Sequence, residues 1–146
     1  MKLISKNIKE TDKIAKTFVD KLGSQNKKQA LLIGLYGDLG SGKTSFVKGV
    51  AKAFGIKNTV TSPTFVLEKI YKLPKDFSFK YLIHIDAYRL EGGKELLTLG
   101  WDDIFKNPQN IIFIEWPEKV ADILPDDMMR IDFKFVNEET REIKIN

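Results

Sequence analysis

The segment GDLGSGKT, residues 37–44, constrains the fold more than any other part of the chain. It matches the pattern G-x-x-x-x-G-K-[ST] and lies between an almost wholly apolar run, Ala30 to Tyr36, and a stretch whose apolar residues have helical spacing. Such an apolar run is typical of a central strand that is covered by helices on both faces. The pattern therefore predicts a strand, a glycine-rich loop and a helix, in that order.

The predicted loop has the chemistry of a phosphate cradle. Glycines allow the backbone to curl so that successive N–H groups point inward, and the following helix adds the positive end of its dipole. Lys43 is expected to bridge the β- and γ-phosphates of ATP, and the Thr44 hydroxyl is expected to bind Mg²⁺, which prefers oxygen ligands. The alternative is a glycine-rich turn with an ordinary lysine. The predicted phosphate-binding residues are Gly37, Asp38, Leu39, Gly40, Ser41, Gly42, Lys43, Thr44 and Ser45.

The rest of the chain alternates between helical and strand patterns. A helix is predicted from Asn7 to Leu22, with Asn7 as its N-cap, Glu10 three residues later and Gly23 after its end. The helix after the loop is predicted to stop at Gly55. The other predicted elements are strands Phe65–Tyr71, Tyr81–Ile85 and Ile111–Ile114, one or two short helices within Gly92–Phe105, an exposed turn at Lys75–Ser78, and a C-terminal hairpin of Arg130–Val136 and Arg141–Ile145.

These elements predict an α/β fold. We expect a three-layer, P-loop NTPase-like sandwich with a mostly parallel central sheet and an antiparallel C-terminal hairpin. The chain of 146 residues, 42% of them apolar, is expected to form a single domain over residues 1–146. No apolar run approaches the length needed to cross a bilayer and the N-terminus does not have a signal-peptide pattern, so a cytoplasmic location is expected.

Two acidic residues follow predicted strands and are candidates for the rest of the site. Glu115 follows Ile111–Ile114, and Asp86 follows Tyr81–Ile85. Because the carboxyl ends of parallel strands face the ligand crevice, both carboxylates are expected near the phosphates. We assign Glu115 to the Mg²⁺ site and Asp86, together with Lys43, to catalysis; the alternative is that the acids are exposed strand ends or N-caps. The absence of cysteine and the single histidine exclude a disulfide framework and argue against a zinc centre.

Three further features have two interpretations each. The segment TSPTF, residues 61–65, is either a nucleotide-sensitive switch through Thr61, Ser62 and Thr64 or a turn that contains proline, and the turn is favoured when the segment is taken alone. His84 is expected to be a packed, hydrogen-bonded residue rather than a catalyst. Trp116 either covers the nucleotide or packs in the core.

The order and spacing of these motifs resemble the bacterial TsaE family, also called YjeE, over residues from about 1 to 136. The resemblance is carried by GDLGSGKT, TSPTF, the His84-x-Asp86-x-Tyr88-Arg89 pattern and the EWP triplet at 115–117. It implies an ATPase that is required for threonylcarbamoyl modification of adenosine 37 in tRNAs reading codons that begin with A. It also implies the partner proteins TsaB and TsaD, a complex that ATP hydrolysis resets, and contact with tRNA only through that complex.

Position by position, the resemblance gives roles to individual residues. Lys43 and Thr44 bind phosphate and Mg²⁺, and Glu115 completes the metal site. Asp86 supports hydrolysis, Trp116 lies close to the nucleotide, and the TSPTF segment is the switch.

Two other functions compete with this interpretation. A small-molecule kinase on the same cradle usually needs several arginines around the transferred phosphoryl group, and this chain has three, of which only Arg89 is well placed. Arg89 itself is either a phosphate sensor or a surface arginine. A nucleic-acid-binding module is compatible with the net charge of +4, but neither a basic stripe nor an aromatic RNA-binding motif is present in the sequence.

Overall fold

The computed structural model describes residues 1–22, 28–56, 68–74 and 77–146. In chain order, the strands are β1 (Lys2–Ser5), β2 (Leu31–Tyr36), β3 (Glu68–Lys72), β4 (Tyr81–Asp86), β5 (Asn110–Glu115), β6 (Met129–Phe135) and β7 (Arg141–Ile145). The helices are α1 (Ile8–Leu22), α2 (Lys43–Ala53), α3 (Gly93–Thr98) and α4 (Trp101–Lys106), followed by a 3-10 helix, Pro117–Ile123. None of the helices described is both long enough and apolar enough to cross a membrane.

The strands form one seven-stranded sheet in the order β1-β7-β6-β2-β5-β4-β3. The four central strands, β6, β2, β5 and β4, are parallel to one another. The C-terminal hairpin of β6 and β7 is antiparallel, as predicted, and β1 and β3 also pair antiparallel at the two edges. The expected mostly parallel sheet is therefore corrected to a mixed sheet, because β1 was not predicted and β3 runs opposite to β4.

Two apolar cores lie on opposite faces of this sheet. Alternate residues of β5 divide between them, with Ile111 and Phe113 in one core and Ile112 and Ile114 in the other. Helices α1 and α2 cover the first face, while α3, α4 and the 3-10 helix cover the second. Helices on both faces make three layers and explain why the central strands are apolar throughout.

The beginning of α1 agrees closely with the predicted cap. The Glu10 backbone N–H donates to Asn7 Oδ1 at 2.9 Å, and Glu10 Oε1 accepts from the Lys6 backbone N–H at 3.3 Å. The predicted stop at Gly23, the first residues of the Phe65–Tyr71 strand, and Lys75 and Asp76 of the predicted turn lie outside the described residues.

Candidate active site

The glycine-rich loop connects β2 to α2 in the predicted way. Gly42 is the N-cap of α2 at φ 104°, a left-handed conformation that residues with a Cβ rarely adopt. Gly37 is also required by the space around it, since a Cβ there would lie 2.6 Å from the Phe133 carbonyl oxygen of β6. The loop therefore curls tightly against β6 and ends at the N-terminus of an 11-residue helix, where the dipole favours negative charge.

Lys43 is the first residue of α2 and is 5% exposed. Its Nζ donates to the Gly37 carbonyl oxygen and, at 3.3 Å, to that of Asp38, and it lies 4.0 Å from the centre of the Trp116 ring. Burial lowers the pKa of the Lys43 ammonium, and the Glu115 carboxylate opposes that shift. The cation of the predicted cradle is thus held inside the loop by carbonyl oxygens and an aromatic face.

Glu115 is the last residue of β5 and is 4% exposed. The Thr44 hydroxyl donates to its carboxylate, with Oγ1 lying 2.9 Å from Oε2 and 3.1 Å from Oε1. Thr44 belongs to α2 and Glu115 to the neighbouring strand end, so the fold joins two predicted metal ligands that are 71 residues apart. A hydroxyl beside a carboxylate is an oxygen donor set suited to Mg²⁺.

The structure also shows why Glu115 has a fixed orientation. His84 Nε2 lies 2.5 Å from Glu115 Oε2, and the His84 side chain is fully buried. This confirms the prediction of a packed, hydrogen-bonded histidine. The other ring nitrogen, His84 Nδ1, is buried and has no hydrogen-bond partner among the described residues.

Asp86 lies at the end of β4, directly opposite Glu115 in the parallel register. Its Oδ1 accepts a hydrogen bond from the Tyr88 backbone N–H at 3.0 Å. Burial raises the pKa of the Asp86 carboxyl, and the hydrogen bond from Tyr88 opposes the shift. The two acidic residues therefore meet at one edge of the sheet, as their positions after strands predicted.

Trp116 has φ 59°, and it is the only residue other than glycine with positive φ in the described part of the chain. It caps the 3-10 helix, with Pro117 at the first helical position, and its ring lies 5.0 Å from that of Tyr88. Trp116 is half-buried and packs against the second core, and it also lines a cavity beside the loop; that it covers the nucleotide stays a prediction. A strained backbone in a cleft is often associated with function.

A cavity of about 900 Å³ brings these groups together. It is lined by Leu39 to Ser45, Asp86, Glu115 and Trp116. The start of α1 and Glu138, Glu139 and Arg141 of the C-terminal hairpin also line it. Gly37 and Asp38 do not line the cavity, and their carbonyl oxygens accept hydrogen bonds from Lys43 Nζ. The predicted switch residues Thr61, Ser62 and Thr64 lie outside the described residues.

Arg141 is one of several cavity-lining residues that sequence reasoning missed. Arg89, which was expected to be the arginine near the site, is exposed and is not part of the cavity wall, whereas Arg141 is. Its Nε donates to the Gly40 carbonyl oxygen at 3.0 Å across 101 residues of sequence. No local pattern marks such a contact, because it depends on the position of β7 two strands away from β2.

Comparison with known proteins gives consistent matches. The family model described as "Threonylcarbamoyl adenosine biosynthesis protein TsaE" matches residues 5–143. Proteins named "tRNA threonylcarbamoyladenosine biosynthesis protein TsaE" from Rickettsia prowazekii and Bacillus subtilis are each 37% identical to this chain over 94% of its length. These matches cover 89% and 79% of the two relatives.

A solved structure is similar over nearly the whole chain. The crystal structure of YdiB from Bacillus subtilis aligns with a TM-score of 0.75 and 32% sequence identity, covering 99% of this chain and 83% of that one. The family model extends over almost the whole chain, and the matches to the relatives cover most of the relatives' own length. The chain therefore belongs to the TsaE family.

Proposed function

We propose that this protein is a Mg²⁺-dependent ATPase that acts in threonylcarbamoyl modification of adenosine 37 in tRNAs reading codons that begin with A. The single observation that carries the proposal is the joining of Thr44 and Glu115 beside the buried Lys43 at the mouth of a glycine-rich loop. The pathway is inferred from the names of the relatives, and the reaction is inferred from the residues of the site.

In this proposal, the loop and the N-terminus of α2 bind the phosphates of ATP. Leu39 to Ser45, which line the cavity, supply backbone N–H groups, and Lys43 supplies the positive charge toward the β- and γ-phosphates. Trp116 lies at the cavity wall above Lys43 and covers the nucleotide on that side.

The residues present fit a single Mg²⁺ ion that arrives with the nucleotide. Thr44 Oγ1 and the Glu115 carboxylate would hold it, and no cluster of three or more histidine, cysteine or acidic residues suited to a metal occurs in the described ranges. Such a site is typical of Mg²⁺, which uses one or two protein ligands together with substrate phosphates and waters. When bound, the ion neutralises charge that develops on the phosphate oxygens.

Asp86 is proposed to orient the water that attacks the γ-phosphate. Its carboxylate lines the cavity beside Glu115, and the Tyr88 N–H fixes one of its oxygens. Asp86→Asn is expected to lower phosphate release about 10²-fold, the lower end of the usual contribution of such a group. ATP affinity is expected to hold or rise, because a negative charge near the phosphates is removed. Unchanged turnover by Asp86→Asn would show that Asp86 has no part in hydrolysis.

TsaB and TsaD are the proposed partners, and hydrolysis by this chain is proposed to reset their complex between turnovers. Contact with tRNA is proposed to occur through the complex. The segment containing Thr61, Ser62 and Thr64 is proposed to be the switch that reports the state of the nucleotide.

The decisive experiment is Mg²⁺-dependent phosphate release from ATP by the purified chain, alone and with TsaB and TsaD, with and without tRNA. Low release by the chain alone and strong stimulation by the partners is the expected result. Rapid phosphate release that is the same with and without the partners, or no release under any condition, would contradict the proposal.

A small-molecule kinase remains the second candidate, and the placement of Arg141 in the cavity is the observation that favours it. An arginine near a transferred phosphoryl group stabilises its spread charge. A kinase forms ADP together with a phosphorylated acceptor in equal amounts. Release of inorganic phosphate without such a product would exclude the kinase.

A further inference from the structure

The C-terminal hairpin touches the glycine-rich loop at both of its ends. At the start of the loop, Gly37 lies so close to β6 that a Cβ would collide with the Phe133 carbonyl oxygen. At the end of the loop, a Cβ on Gly42 would lie 3.4 Å from Arg141 Cγ of β7. The hairpin therefore lies against the loop near Gly37 and near Gly42, although only β6 pairs with β2.

Arg141 is held rigidly on the hairpin side of this contact. Its Nη1 donates to the carbonyl oxygens of Asn137 at 2.5 Å and Thr140 at 3.1 Å, both at the hairpin turn. Its guanidinium carbon lies 4.6 Å from the centre of the Phe135 ring, which is its cross-strand partner in the register. A planar guanidinium that is fixed in this way presents its remaining donors in a defined direction.

On the loop side, Arg141 fixes one peptide unit. The Gly40 carbonyl oxygen accepts from Arg141 Nε at 3.0 Å, and the N–H of the same peptide, on Ser41, donates to the Asp38 carbonyl oxygen at 3.1 Å. Since a peptide unit is planar, these two bonds set its orientation from both sides. The Asp38 oxygen also accepts from Lys43 Nζ, so a continuous set of hydrogen bonds runs from the hairpin to the phosphate lysine.

We propose that Arg141 is a positioning residue for nucleotide binding, and that the hairpin preorganises the phosphate loop through it. The inference rests on the proposed function of that loop. Without the guanidinium, only the Ser41 to Asp38 hydrogen bond holds the Gly40–Ser41 peptide, and nucleotide binding must then complete its ordering at a cost in affinity. The role follows from the fork geometry of arginine and not from its charge alone.

The test compares Arg141→Met and Arg141→Lys with Arg130→Met by calorimetric titration of ATP and ADP. Arg130 is the matched control, because it lies on the same hairpin, bonds to Asp132 and removes the same charge when replaced. Arg141→Met is expected to weaken binding of both nucleotides about tenfold, which is the affinity change that corresponds to losing one hydrogen bond made by a charged group. Arg141→Lys is expected to fall between that variant and the unaltered chain, and Arg130→Met to bind normally.

Thermal unfolding without nucleotide separates positioning from a purely structural role. Melting temperatures of all three variants are expected to fall by no more than about 5 °C, because each replacement breaks a few hydrogen bonds outside the apolar core and opens no cavity in it. Normal affinity of Arg141→Met or Arg141→Lys, equal weakening by Arg130→Met, or a large loss of melting temperature in Arg141→Met would each overturn the inference. If the unaltered chain binds neither nucleotide, the proposed function fails as well, whereas a normal Arg141→Met in a chain that binds ATP overturns the positioning role alone.

Discussion

Replacing Lys43 by alanine is expected to weaken ATP binding at least about 100-fold, which corresponds to about 3 kcal/mol. Lys43 is the buried cation of the loop, and its Nζ lies among carbonyl oxygens, where two or more strong hydrogen bonds to phosphate can replace those it now makes. Burial already lowers the pKa of its ammonium, so the protein maintains this charge against a desolvation cost. Calorimetric titration of ATP and ADP measures the effect.

Lys48→Ala is the matched control for Lys43→Ala. Lys48 is exposed on the same helix five residues later, and its replacement removes the same charge without touching the loop. Lys48→Ala should bind as the unaltered chain does. Because the loss of a buried charge does not open the apolar core, Lys43→Ala should also remain folded by thermal unfolding. Tight ATP binding by a folded Lys43→Ala would show that residues 37–44 are not the phosphate site.

Glu115→Gln is expected to lower Mg²⁺-dependent phosphate release about 10³-fold while affinity for ATP without Mg²⁺ changes little. The amide has the shape of the carboxylate, so its oxygen still accepts the Thr44 hydroxyl, but the negative charge that would hold the cation is lost. His84 can still donate to the amide, which favours a normal fold. Phosphate release and ATP titration, each over a series of Mg²⁺ concentrations, measure the two effects separately.

Glu118→Gln serves as the control, since Glu118 is an exposed carboxylate three residues further along the chain. This variant should keep normal Mg²⁺-dependent turnover. If Glu115→Gln responds to Mg²⁺ as the unaltered chain does, both in binding and in turnover, then Glu115 is not a metal ligand. A parallel loss in Glu118→Gln would instead point to the general negative potential of the cavity.

Much of the architecture follows from local patterns. Apolar runs predicted β2, β4 and β5 close to their observed bounds, and the helical spacing and cap residues predicted α1 and α2. The hairpin of β6 and β7 was predicted from two strand patterns around a polar turn. The short edge strand β1 was missed, because four residues with one buried position carry too little periodicity to be recognised.

The sequence by itself determined the groups that belong to one contiguous motif or that follow directly after a strand. These are the glycine-rich loop with Lys43 and Thr44, and the acids Asp86 and Glu115. These groups lie close together in the fold because the carboxyl ends of parallel strands meet at one edge of the sheet.

Only the tertiary structure decided which distant groups touch that edge. The contact of His84 with Glu115 and that of Arg141 with Gly40 depend on the strand order, which places β4 beside β5 and puts β7 two positions from β2. Strand order is set by the packing of the whole sheet and its two cores, and no spacing along the chain encodes it locally. The loop that is proposed to bind phosphate is therefore visible in the sequence, while the residues that contact it from distant strands appear only in the fold.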